Sequence, residues 1–373
     1  MQMTERRASM QAGPTEPLEA ARELVAAARI TDAHCDVHLD LIRRRARGEA
    51  RVLERRHLPG WVSGGVDLVV LNTVPKFGPA AYPYLTTPVH NYLYMLDCLH
   101  LELQESADHL QLVTSLQDVE RARADGKVGI IIGCEGAEPL GDDLSLLRCY
   151  HRLGLRVLTL TWHHRNALAD GVAEPSGSGL SNLGREVVDE ANRLGIVLDV
   201  SHASARAIED VLERSSQPIL ASHSNARAVC DHQRNLHDGQ IRAIAERGGV
   251  IGVVFLGRFV AAEDPGVHDV ADHVEHIVGL VGYEHLALGP DYTTGGEDLV
   301  IDARRVAGPG QPVDAASIPY AAGLETYDGI PSLLAELISR GHHVADLRGM
   351  LGDNLLPVFA QMRADPTPSL AMR

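Results

Sequence analysis

Leu198-Asp199-Val200-Ser201-His202 and Ile219-Leu220-Ala221-Ser222-His223 read alike: each is a short apolar run that ends in Ser-His. A run of this length, apolar on both faces and bounded by polar residues, reads as a buried strand of a parallel sheet. A histidine just past such a strand lies at its carboxyl end, where α/β barrels gather their chemistry. Two such strands in succession would set His202 and His223 side by side.

Working outward, the same grammar recurs. Further strands are read at Ile30–Asp36, Gly65–Leu71, Val128–Gly133, Arg156–Thr161, Gly249–Phe255 and His285–Gly289. Helical spacing between them is clearest at Glu16–Arg29, Val89–Ala107, Leu144–Leu153 and Val270–Val281. Ser181 reads as the N-cap of a helix that runs to Leu194 and closes at Gly195. An arginine-rich stretch over 43–57 reads as a solvated helix, and helices are expected over 331–340 and 344–359. Eight strands separated mostly by helices define an α/β fold, a (β/α)8 TIM barrel. The expected organisation is a disordered tail over 1–14, one (β/α)8 domain over 15–363, and a flexible C-terminal tail over 364–373. The Gly- and Pro-rich segment 293–319 is long for a barrel connection, as functional loops often are.

Composition narrows the function classes. The chain has 373 residues and a formal net charge of -16, which argues against nucleic acid or an anionic membrane as partner. No apolar run is long enough to span a bilayer, and the first residues lack the apolar core of a secretory signal. Five cysteines without CxxC spacing fit reduced thiols, and a cytoplasmic location is expected.

The residues just past the strands carry the chemistry. They are His34 and Asp36, then Glu135, His202, His223 and Asp291. Any one of nineteen histidines is more often a core or surface group. Six imidazole or carboxylate groups at strand ends, all facing one end of a barrel, point to a metal site. In extended chain, residues two apart face the same way, so His34 and Asp36 can meet one ion. Three imidazoles and two carboxylates suit zinc or a similar divalent metal. Five ligands exceed what a mononuclear catalytic site uses and suit two ions about 4 Å apart, with Glu135 as the bridging carboxylate. A hydroxide held between the ions would be the nucleophile. Asp291 is expected to carry the proton from that water to the leaving nitrogen.

Several longer motifs are specific. They include Asp32-Ala33-His34-Cys35-Asp36, Cys134-Glu135-Gly136, Leu158-Thr159-Leu160-Thr161 and Gly184-Arg185-Glu186-Val187-Val188. Ser222-His223-Ser224-Asn225-Ala226-Arg227-Ala228, Arg234-Asn235, Gly289-Pro290-Asp291-Tyr292 and Leu351-Gly352-Asp353-Asn354-Leu355 complete the set. In this order the chain resembles the renal (membrane) dipeptidase family, peptidase family M19 of the amidohydrolase superfamily. The resemblance implies a binuclear zinc barrel that cleaves dipeptides, often tolerating a D-residue at the carboxyl end. It implies one zinc on His34, Asp36 and Glu135, the other on Glu135, His202 and His223, and Arg234 on the substrate carboxylate. It also implies a homodimer.

The chain departs from the family at two places. Trp162 stands where well-known members have a substrate-contacting histidine, leaving His163 or His164 as replacement and Trp162 as an apolar wall. Phe259 stands where the mammalian enzyme has a substrate-binding tyrosine, with Arg258 beside it. These departures keep open a related amidohydrolase acting on an N-acyl amino acid, a thiol-conjugate dipeptide or a β-lactam-like ring. A catalytically inactive binding protein is the remaining alternative.

Overall fold

In the computed structural model, residues 17–75, 87–175, 177–293 and 320–364 are described. The expected tail over 1–14, all but the first residue of that over 364–373, and nearly all of the 293–319 segment lie outside them. The strands are β1 (Ile30–Cys35), β2 (Val66–Leu71), β3 (Leu110–Leu112), β4 (Val128–Glu135), β5 (Leu155–Thr159), β6 (Val197–Asp199), β7 (Leu220–Ala221), β8 (Val250–Val253) and β9 (Leu286–Leu288). Every pairing between them is parallel. The order β2-β1-β9-β8-β7-β6-β5-β4 is closed by the pairing of β4 with β2. The fold is therefore a (β/α)8 barrel.

β3 was not anticipated. It pairs with β4 from Val128 to Ile130, on the edge that β5 takes over from Ile132.

Strand alternation separates two cores. Leu68, Val70, Ile131, Val157, Val197, Leu220, Val250 and Ala287 cluster inside the barrel, with Val358, Phe359 and Met362 joining from the C-terminal segment. Their strand neighbours, such as Val69, Ile130, Ile132 and Leu198, pack outward against the helices. The helix Asn182–Leu194 shows the outer pattern: Val187, Val188, Ala191 and Leu194 are buried. Ser181 caps it by accepting the Gly184 N–H, and Gly195 ends it at φ +74°, a left-handed turn that glycine adopts without a Cβ clash.

Counting two residues up from the interior cluster gives the next layer of the barrel. It includes Asn72, Gly133, Thr159, Asp199, Ser222, Gly252 and Gly289. The apolar floor thus gives way within one step to a polar tier. The glycines make room for it. A Cβ at Gly289 would fall 1.8 Å from the Ser222 carbonyl oxygen, and one at Gly133 would fall 2.0 Å from Asn72 Oδ1.

Two helical expectations need correction. The arginine-rich stretch is a helix at His38–Arg45, followed after a break by turns at Leu53–His57 and Leu58–Ser63. Gly48 at φ +83° and Arg51 at φ +53° interrupt it. Arg44 and Arg45 are bound, Arg44 donating to Asp40 and Arg45 to Glu102 and Glu105, whereas Arg47, Arg51, Arg55 and Arg56 are exposed as expected. The segment 344–359 is a chain of short turns rather than one helix. Gly352 passes so close to β1 that a Cβ there would lie 2.5 Å from the Arg29 carbonyl oxygen.

Candidate metal centre

Glu135 is the last residue of β4, and the barrel brings three imidazoles to it. Its Oε1 lies 2.8 Å from His202 Nε2, 3.4 Å from His223 Nε2 and 3.6 Å from His34 Nε2. His34 Nε2 also lies 3.5 Å from Asp36 Oδ1 and 3.9 Å from Asp291 Oδ1. Backbone bonds between strand ends hold this register: Glu135 N–H donates to the Thr73 carbonyl, Asp36 N–H to Tyr292 and Asp291 N–H to His34. The ladder of β1 is irregular between Asp32 and Cys35. Such irregularities re-aim side chains, and this one coincides with the residue that turns in.

Two members of the ring sit in backbone conformations that side chains rarely adopt. His202 has φ +66° and Asp291 φ +65°. Left-handed non-glycine residues cost on the order of 1–3 kcal/mol and persist where surrounding structure over-determines them.

The polar tier beneath the ring sets the histidine tautomers. Asp199 accepts from the Thr159 hydroxyl at 2.7 Å, the Ser222 hydroxyl at 2.6 Å, and the N–H groups of Ser201 and Ser222, each at 2.9 Å. The Ser222 hydroxyl, having donated to Asp199, accepts from His34 Nδ1 at 3.0 Å and His223 Nδ1 at 2.8 Å. Asn72 Nδ2 lies 2.9 Å from His34 Nδ1 while Asn72 Oδ1 has no partner, and exchanging the two amide atoms would turn that oxygen to the His34 proton. With Nδ1 protonated on both rings, each Nε2 presents a lone pair to the centre. Asp199 also lies within reach of His34 and His223 as a third donor. Its four hydrogen bonds make it their support instead.

The electrostatics fit a cation. Burial opposes charge on His34, yet Glu135, Asp36 and Asp291 raise it to about 10. A cavity that draws a proton so strongly onto an imidazole is one that stabilises positive charge. His202 and His223 are pushed well below the ordinary histidine value by burial and by Arg234, and so stay neutral, as ligands must. Buried His34 Nε2, Asp36 Oδ1 and Glu135 Oε2 have no hydrogen-bond partner. Donors left open at the focus of three imidazoles and two carboxylates fit a divalent ion of borderline softness. Two distinct donor groups, Glu135 with His202 and His223, and His34 with Asp36 and Asp291, could each hold an ion, and the 3.6 Å contact of His34 with Glu135 joins them.

Around the ring stand the other residues expected from the sequence. His163 is buried with its ring 4.6 Å from that of His202, whereas His164 is exposed and faces Glu174. Of the two, His163 is the one at the centre. Trp162 is buried beside it, 6.1 Å from His202. Arg234 is buried, donates to the His223 carbonyl through Nη2 at 3.3 Å, and leaves Nε without a partner. Phe259 lies in the short helix Gly257–Val260 with the guanidinium of Arg234 5.4 Å from its ring centre. A cleft of about 380 Å³ opens beside His202 and Arg234, with Ser224, Gln233 and Arg206 in its walls. Asp291 is raised to about 7, by burial first and then by Asp36, against the pull of His34 and Arg234.

Sequence reasoning missed the tier itself: Asp199, Ser222, Thr159 and Asn72. The signal was present, because an aspartate inside an apolar strand must find donors. It also missed Asp32, which accepts from the His34 N–H and from the hydroxyl of Tyr327, 295 positions away.

A closed barrel with a convergent set of N and O donors at the C-terminal strand ends defines a (β/α)8 protein with a candidate metal centre. Residues 18–306 match the membrane dipeptidase family, peptidase family M19, and the chain belongs to that family. It is 34% identical over 283 residues to human dipeptidase 3, covering 74% of this chain and 53% of that protein. To dipeptidase aclJ of Aspergillus oryzae it is 31% identical over 281 residues, covering 74% of this chain and 61% of that protein. The chain thus spans between about half and three-fifths of the length of these relatives. A metallo peptidase from Rhodobacter sphaeroides, solved with a phosphinate mimic of the dipeptide L-Ala-D-Ala, superposes with TM-score 0.74 at 25% identity, covering 90% of this chain and 99% of that one. Among the described residues, no helix is long and apolar enough to cross a membrane.

Proposed function

We propose that the protein is a zinc-dependent dipeptidase. The observation that carries this is Glu135 Oε1, which lies within 3.6 Å of three imidazole nitrogens delivered by three different strands. In this reading His34, Asp36 and Glu135 hold one zinc ion, and Glu135, His202 and His223 hold a second. When bound, such a pair polarises the scissile carbonyl and makes hydroxide available at neutral pH.

The protein's own groups do the rest. Asp291, titrating near neutrality, accepts a proton from the attacking water and returns it to the leaving nitrogen. Arg234 takes the terminal carboxylate of the dipeptide through its open edge. His163 hydrogen-bonds the substrate beside the scissile carbonyl, and Trp162 and Phe259 wall the pocket. The Rhodobacter relative's dipeptide mimic supports a substrate with a C-terminal D-residue. Five cysteines without a disulfide support a reducing, cytoplasmic setting. A homodimer is proposed on the family resemblance alone.

The test is a screen of the zinc-loaded protein against L,L and L,D dipeptides alongside N-acyl amino acids. Hydrolysis of dipeptides, including some L,D pairs, is expected. Turnover confined to N-acyl amino acids would contradict the proposal and favour the related amidohydrolase.

A further inference from the structure

Phe259 carries more than an apolar wall. Its ring has two guanidiniums close to it: Arg234 at 5.4 Å and Arg258 at 4.7 Å from the ring centre. The ring is fixed from behind, since the Phe259 carbonyl accepts from the side-chain amides of Asn225 and Asn235. An arginine stacked on an aromatic face keeps its edge N–H groups for an in-plane acceptor.

The two cations stand at different depths. Arg234 is buried and bonded to the backbone of a histidine in the donor ring. Arg258 is exposed, and among the described residues no carboxylate lies within ion-pair distance of it. The acidic group whose charge reaches it is Asp291. The neighbourhood is cationic despite the acidity of the whole chain. His232, with its ring 4.8 Å from Phe259, is lowered to about 4 by burial and then by Arg258, Arg234 and Arg227. It is a neutral acceptor, its Nδ1 taking the backbone N–H of Arg234 at 3.1 Å. The two arginines repel one another, Asp291 offsets part of that repulsion, and a substrate anion between them removes more of it.

We infer that Arg234 and Arg258 form a two-point anchor on the Phe259 platform, and that the preferred substrate is a dipeptide whose C-terminal residue bears a side-chain carboxylate. This rests on the dipeptidase reading above. One carboxylate needs only the inner arginine. The outer one, stacked on the same ring and unpaired, takes a second carboxylate a few bonds away, as an aspartyl or glutamyl residue presents it. The hydroxyl contact that the resemblance to the mammalian enzyme leads one to expect at Phe259 is thereby replaced by a charge from the preceding residue, Arg258.

The experiment compares kcat/KM for Ala-Asp and Ala-Glu with their neutral counterparts Ala-Asn and Ala-Gln. The acidic substrates are expected to be favoured by about tenfold or more, and Arg258→Gln to bring the ratio close to one. Equal rates on Ala-Asp and Ala-Asn in the native protein would overturn the inference and leave the dipeptidase reading standing. A preference for acid that survives Arg258→Gln would overturn it too. If no dipeptide is turned over, the dipeptidase reading fails, and calorimetric titration with free aspartate and asparagine still decides the anchor. Tighter binding of aspartate, lost in Arg258→Gln, supports it; equal binding contradicts it.

Discussion

The donor ring and the proposed substrate wall lie side by side, but they are built differently. The donors stand on β1, β4 and the ends of β6, β7 and β9, locked by a ladder of parallel strands and a tier of hydrogen bonds beneath. The wall stands on connections: Trp162 and His163 after β5, Arg234 in the segment after β7, Phe259 in a single helical turn. The ring is over-determined and the wall is not. Chemistry that must stay fixed is placed on the barrel, and selectivity on segments that can change without disturbing it.

Substitutions can break this contrast. Glu135→Gln removes the shared carboxylate, and activity is expected to fall to background with loss of bound metal, measured by hydrolysis and by metal analysis. Asp291→Asn should keep its metal and lose about 10²–10⁴ in kcat, the range of a general acid–base group. A variant near native rate would remove Asp291 from the mechanism. Ser222→Ala takes the common acceptor from His34 and His223 and should weaken metal binding about 10- to 100-fold, read by competition with a chelator. If metal affinity is unchanged, the tier is a packing feature only.

A smaller effect sharpens the comparison from outside the site. Burial acts to raise the Asp40 carboxyl, but hydrogen bonds from His57 and Arg44 outweigh it and hold it at about 2. A group depressed in the folded state stabilises the fold above its unfolded value, and that stabilisation disappears as pH falls through the folded value. The window is therefore from about pH 4 down to pH 2, and the contribution on the order of 2 kcal/mol. Asp40→Asn should lower the melting temperature at pH 7 and flatten its decline over that window, while leaving metal content at pH 7 unchanged.

The same contrast governs what could be read from the chain. The ring was legible because each donor follows an apolar run that announces a strand, and the strand end fixes its direction. Asp199 was legible as strand but not as support, because its partners Thr159 and Ser222 come from two other strands. The arginines at 43–45 looked solvated because Glu102 and Glu105, which bind Arg45, lie more than fifty residues on. His163 could not be told from His164 in sequence. A one-residue difference in an irregular connection decides which ring meets His202. The pairing of Arg258 and Arg234 on one ring was beyond reach for the same reason.

The central claim is that this ring holds two metal ions through Glu135. The most direct measurement is zinc per chain by mass spectrometry, after zinc loading and exhaustive dialysis. The account requires about two per chain in the native protein and a clear fall in Glu135→Gln. Well under one zinc per native chain would contradict it.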